Sequence, residues 1–117
     1  MTHAPLPLES IRVVEFSHMV MGPTCGLVLA DLGADVVKVE PAPDGDKTRR
    51  LPGSGAGFFG TYNRNKRSIS VNLKSVEGLE FATNLVRASD VLLENFSAGV
   101  MDRLGLGYDA MQEINPS

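Results

Sequence analysis

Apolar positions along the chain form short β-branched runs and longer stretches with apolar residues three and four apart, and the two kinds of pattern succeed one another. Residues 11–16 (Ile-Arg-Val-Val-Glu-Phe) predict a first strand. Residues 17–22 follow as a turn, and Pro23 takes a first helical position, where its missing N–H would have no partner anyway. Residues 24–32 continue as a largely apolar helix that Gly33 closes. A second strand over residues 35–40 ends at Pro41 and Pro43, and so short a crossover gives parallel strands with a right-handed connection. Residues 41–60 hold too much Pro and Gly for a regular element and are expected to form a long loop. Over residues 68–73, Ile69, Val71 and Leu73 alternate with Ser70 and Asn72, the period of a strand with one buried face. Ser75 then caps a helix with Glu77 in its first turn, and Leu79, Ala82, Leu85 and Val86 give that helix one buried side. Residues 91–94 make a fourth strand, and short helices are expected around residues 100–104 and 108–114. The sum predicts an α/β fold, a mostly parallel sheet with flanking helices. Residues 1–10, with Pro5 and Pro7, read as a leader without regular structure.

Composition fits this reading and removes several functions. A length of 117 residues suffices for one core, and 43% hydrophobic with 21% charged residues is the balance of an ordinary globular protein. A net charge of -3 argues against nucleic acid as the main partner, because phosphate-backbone binding needs a broadly basic face. Cys25 is the one cysteine, so no internal disulfide can form and nothing points to an oxidising compartment. No apolar run nears the roughly 18 residues of a membrane span, and the N-terminus lacks the basic and apolar regions of a secretory signal. Neither membrane nor nucleic acid is expected as a partner, and the cytoplasm is the expected location. Pro116, just past the last helix, usually hands a chain on to another element, so these residues read as the front portion of a longer protein.

Charge is unevenly distributed. Between Lys47 and Lys74 stand seven basic residues (Lys47, Arg49, Arg50, Arg64, Lys66, Arg67, Lys74) and no acid. On an acidic protein such a strip suggests one anionic ligand, and the plainer alternative is a solvated charged loop entering an ordinary strand. In open α/β sheets ligands gather beyond the carboxyl ends of the strands, here near residues 17–22, 40–43, 72–74 and 95–97. Glu40 ends the second strand about where a ribose-binding acid belongs in a dinucleotide fold, but the first turn holds Gly22 alone and not three glycines, which argues against NAD. His18, in a turn at a strand end, is a candidate general base, although a histidine with no paired acid more often packs or hydrogen-bonds. Cys25 reads as a small buried hydrophobe, Met19 and Met21 as an adaptable apolar contact or core, and Glu15 has no obvious partner. No carboxylate pair, metal-ligand spacing or nucleophile-base arrangement emerges, so no catalytic residue is assigned.

Several motifs, in order, resemble the class III CoA-transferases, a family that includes formyl-CoA transferase, carnitine CoA-transferase and the alpha-methylacyl-CoA racemases. They are Gly22-Pro23, Ala30-Asp31-Leu32-Gly33-Ala34-Asp35-Val36-Val37-Lys38-Val39-Glu40-Pro41, Asn63-Arg64-Asn65-Lys66-Arg67-Ser68-Ile69, Glu94-Asn95-Phe96 and Gly99-Val100-Met101-Asp102-Arg103-Leu104-Gly105. The resemblance implies that residues 1–117 are the N-terminal part of a large Rossmann-like CoA-binding domain, incomplete relative to the family's full fold. It implies coenzyme A as the bound carrier, contacted by Val20, Met21, Val71, Asn72, Leu73, Lys74, Asn95, Phe96, Ser97 and Arg103, with Lys74 and Arg103 supplying charge. Lys66 and Arg67 match the family motif and would fix the loop. Some relatives carry Arg after the acid ending the second strand, where this chain has Pro41, so that contact would fall to Arg49 or Arg50. Val20 stands where formyl-CoA transferase has Gln. The implied parent moves CoA between an acyl-CoA thioester and a carboxylic acid through a downstream aspartate nucleophile, as an interlocked homodimer, and the fragment alone would be inactive. The alternatives are a 2-methylacyl-CoA racemase of the same superfamily and a non-catalytic α/β module that binds a nucleotide or a partner protein.

Overall fold

The computed structural model describes residues 4–117, so the first three residues of the leader expected at residues 1–10 lie outside the described residues. Four strands form one sheet: β1 (Arg12–Phe16), β2 (Asp35–Pro41), β3 (Arg67–Val71) and β4 (Val91–Glu94). Their order is β3-β2-β1-β4 and every neighbouring pair is parallel. A parallel sheet needs both faces covered. Helix α1 (Met21–Asp31) covers one, where Val13 and Val36 of the sheet meet Ala30 and Ala34. The other face carries Val14, Phe16, Val39 and Val71, which pack against Ala82 and Val86 of helix α3 (Val76–Arg87). The same core takes in Met101 of helix α4 (Val100–Leu104) and Met111 of helix α5 (Tyr108–Ile114). Ser75 caps α3 as its sequence predicts, its hydroxyl accepting the Gly78 N–H at 3.0 Å.

Three expectations need correction. The stretch 41–60 is not a featureless loop: 3₁₀ turns form over Lys47–Arg50 and Gly53–Gly55, and helix α2 (Phe58–Tyr62) begins before its end. Asp46 caps the first turn through the Thr48 N–H at 2.9 Å, and ion pairs beneath it tie the segment to the sheet. Helix α1 starts earlier than expected, with Pro23 third in its first turn, where Pro is still tolerated because the first internal bond, Thr24 N–H to the Val20 carbonyl at 2.8 Å, comes after it. Cys25 is exposed. The sheet-facing side of α1 is made of Gly22, Pro23, Gly26 and Ala30, and Cys25 falls on the opposite side in line with the exposed Met21 and Val28.

Candidate functional site

The order β3-β2-β1-β4 reverses at β1, whose connection runs toward β2 while β4 lies on its other side. At such a reversal the loops after the two central strands diverge and leave a crevice at the carboxyl edge of the sheet. Here it lies between residues 17–22 and 95–98. Asn95 ties its two walls together: its side-chain oxygen accepts the His18 N–H at 3.1 Å and its amide donates to the His18 carbonyl at 3.0 Å. The His18 ring stacks on Phe96 at 5.4 Å. Gly22 lets α1 close against this junction, since a Cβ there would stand 2.6 Å from Asn95 Cγ and 2.7 Å from Ser17 Cβ.

Beneath the crevice lies a network of buried charge. Strand alternation points Glu15, Lys38 and Glu40 to the α1 side, and all three are at most 2% exposed. Lys66 Nζ uses its three N–H groups on Glu15 Oε2, the Pro23 carbonyl and Asn63 Oδ1, each at 2.9 Å. Lys38 Nζ donates to the Ser17 carbonyl at 2.9 Å and the Ser17 hydroxyl at 3.1 Å, and the Ser17 hydroxyl in turn donates to Glu15 Oε2. Lys38 also pairs with Asp46 Oδ2 at 3.1 Å, an ion pair without hydrogen-bond alignment. Arg49 forks onto both Glu40 oxygens at 2.7 Å and lies under the Phe59 ring, 3.8 Å from its centre. Burial by itself would push the Glu40 carboxyl up; the Arg49 guanidinium, the Asp46 N–H and the Ser68 hydroxyl outweigh it and bring it down to about 2. Burial lowers the Lys66 ammonium below its usual range, and the bond to Glu15 only partly opposes this. Glu40 is therefore closed off inside the protein and offers nothing to a ribose, in line with the argument against NAD.

The model of CoA-transferase family III matches residues 8–117. The chain belongs to this family. It is 42% identical over 121 residues to an acyl-CoA transferase of Fusarium pseudograminearum, covering 93% of this chain and 26% of the relative. It is 50% identical over 113 residues to a formyl-CoA:oxalate CoA-transferase of Streptomyces coelicolor, covering 93% and 27%. Among solved structures, the CAIB/BAIF family protein of Brucella suis superposes with a TM-score of 0.86 at 41% identity, over 96% of this chain and 32% of that one. The chain thus spans about a quarter of the length of the curated relatives it matches.

The residues that family resemblance singles out fall into two sets. Val20, Met21, Asn95, Phe96 and Ser97 stand together at the β1–β4 crevice, Met21 being 80% exposed. Val71 ends β3, and Asn72, Leu73 and Lys74 follow it at the far side of the sheet, two strand spacings from β1 and three from β4, or about 10–14 Å away. Leu73 and Phe96 pack on the same α3-side core, which links the sets along one face. Arg103 is exposed on α4, its guanidinium beside Gly99. Asn72 makes a tight turn, its side-chain oxygen accepting the Lys74 N–H at 3.1 Å.

The basic strip does not form one anion surface. Arg49, Arg64, Lys66 and Arg67 pair with Glu40, Asp31, Glu15 and Asp35, and Arg50 donates to the Asp44 carbonyl at 2.6 Å. Of the seven, Lys47 and Lys74 alone make no ion pair or side-chain bond among the described residues. Lys66 and Arg67 hold structure together, as their motif suggests. Arg49 and Arg50, the substitutes for the Arg missing at Pro41, are both occupied. Sequence reading passed over Lys38, Asp46 and Thr48, and left Glu15 without a partner. The one signal available was that Glu15, Lys38 and Glu40 share the inward register of otherwise apolar strands.

Proposed function

We propose that this chain is the CoA-binding part of an enzyme that moves CoA between an acyl-CoA thioester and a carboxylic acid. The observation that carries the reading is the crevice at the strand-order reversal, lined by Val20, Met21, Asn95, Phe96 and Ser97, in a chain that belongs to CoA-transferase family III. Coenzyme A combines a phosphorylated adenosine with an extended pantetheine arm. A ligand of that length suits two sets of residues about 10–14 Å apart on one sheet edge. Lys74 and Arg103, exposed and without ion pairs among the described residues, would meet its phosphates as charge-assisted donors. Asn72 keeps its amide N–H groups for the ligand while its oxygen shapes the turn. Val71 and Leu73 would fix that turn from the core, and Phe96 and Met21 offer apolar surface to the adenine or the arm.

The acyl-transfer step is assigned to an aspartate of the parent enzyme outside these residues. Asp31 and Asp35 are paired with arginines at the far end of the sheet, Asp46 is buried on Lys38, and Asp90 accepts the Arg12 N–H at 2.9 Å. The parent is proposed to act as a homodimer.

Calorimetric titration with CoA, on this chain and on the intact protein containing it, tests the site. Binding that weakens with salt, and by about tenfold in Lys74→Ala or Arg103→Ala, is the expected result. Folded protein that binds no CoA in either form, or both variants binding like wild type, would overturn it.

A further inference from the structure

Three buried acids and two buried lysines, with Arg49 reaching in from the surface, are an expensive way to hold a sheet together, because replacing buried ion pairs by apolar residues is often neutral or stabilising. What distinguishes this network is where its spare hydrogen bonds go. They end on the backbone of one connection, residues 17–23. Lys38 takes the Ser17 carbonyl, Lys66 takes the Pro23 carbonyl, and the Thr48 hydroxyl accepts the Met19 N–H at 3.0 Å. Met19 has φ +64°, a left-handed conformation that a side-chain-bearing residue adopts only when its surroundings impose it. Thr48 is 1% exposed and its hydroxyl is fully used: it donates to Asp46 Oδ1 at 2.7 Å while accepting from Met19. Asp46 is fixed through Lys38 and through its own N–H to Glu40. A line of contacts therefore runs from the sheet through Asp46 and Thr48 to the residue just before Val20.

We propose that Thr48 is a positioning residue for the crevice: its bond to Met19 holds residues 18–21 in the one conformation that presents Val20 and Met21 to the ligand, and Thr48 itself touches no ligand. This rests on the reading of the crevice as the CoA site. The segment 45–50 thereby becomes part of the binding machinery although it stands behind the loop, and its 3₁₀ turn sets the height of Thr48 beneath Met19.

The test uses the intact protein as wild type, Thr48→Val and Thr48→Ser, read by hydrogen exchange and by CoA titration. Valine keeps the shape and removes the acceptor, leaving the Met19 N–H without a partner; serine keeps the hydroxyl. Expected is an exchange rate about tenfold faster in peptides covering residues 17–23 of Thr48→Val, no change in peptides from α3, and CoA binding about tenfold weaker, with both restored in Thr48→Ser. A role confined to general stability would lower the melting temperature of both variants and leave the affinity of the folded protein intact. Unchanged exchange in residues 17–23 overturns the proposal whatever CoA does, and faster exchange with wild-type CoA affinity overturns the link to binding. If wild type binds no CoA, the CoA reading falls by itself, and the hold on the loop is judged by exchange alone. Should Thr48→Val not fold, Thr48→Ala removes the same acceptor without added bulk and is read in the same way.

Discussion

Glu40 is 2% exposed and ionised, held by a forked Arg49, a backbone N–H and a hydroxyl. Its carboxyl lies at about 2 in the folded chain against an ordinary value of 4.5, so the unfolded chain binds the proton first as pH falls. The stability Glu40 contributes is fully present above pH 4.5 and is lost between there and about pH 2, on the order of 3 kcal/mol in total. Glu40→Gln keeps an acceptor for the Asp46 N–H but strands the guanidinium. Urea unfolding from pH 7 to pH 2 is expected to show the variant less stable at neutral pH and its stability less steeply dependent on pH below 4.5. Parallel slopes in the two proteins would mean that another carboxylate drives acid unfolding. At the residue scale the one legible signal was the register that Glu15, Lys38 and Glu40 share. That register does not say which face is buried, and only the parallel sheet, with a helix on each face, turns these charges inward.

At the scale of elements the sequence was far more informative, because strand and helix periods depend on many residues at once. β4, α4 and α5 lie where their patterns put them, and β3 begins one residue early at Arg67 and ends at Val71, after which Leu73 still reaches the core from a turn. Segment 41–60 was misread for a physical reason: besides the local Asp46 cap, its order comes from ion pairs to β2 that no local pattern shows. Helix α1 shows the same dependence on distant partners. Gly26 sits mid-helix, where Gly→Ala normally stabilises by roughly 1 kcal/mol. A Cβ at Gly26 would land on Glu15 Oε1 and lie 2.8 Å from its Cδ, and neither the strand nor the carboxylate, held by Lys66, can retreat. Gly26→Ala is therefore expected to destabilise by about 2–4 kcal/mol, as read by thermal or urea unfolding. A stabilised variant would mean that Glu15 can swing aside.

Across the whole molecule, strand order was the feature no local pattern could supply, and it is the order that makes a site. Four parallel strands permit several arrangements, and only one with β4 beside β1 brings Asn95 to His18. The same order leaves β4 as an edge strand, unpaired on its outer side among the described residues, beside a groove of about 610 Å³ between it and α5. Leu92, Leu93, Met101 and Met111 line that groove, so free backbone groups and apolar surface occur together. This combination favours pairing with another strand, and natural edges are commonly blunted by a lysine. Val91, 40% exposed at the start of β4, is the position where a lysine could do so without entering the core. Sedimentation velocity on the 117-residue chain is expected to show association that grows with concentration, and Val91→Lys is expected to remain monomeric over the same range. Equal association in both would move the contact elsewhere, the exposed Met21 and Val28 of α1 being the next apolar surface to substitute.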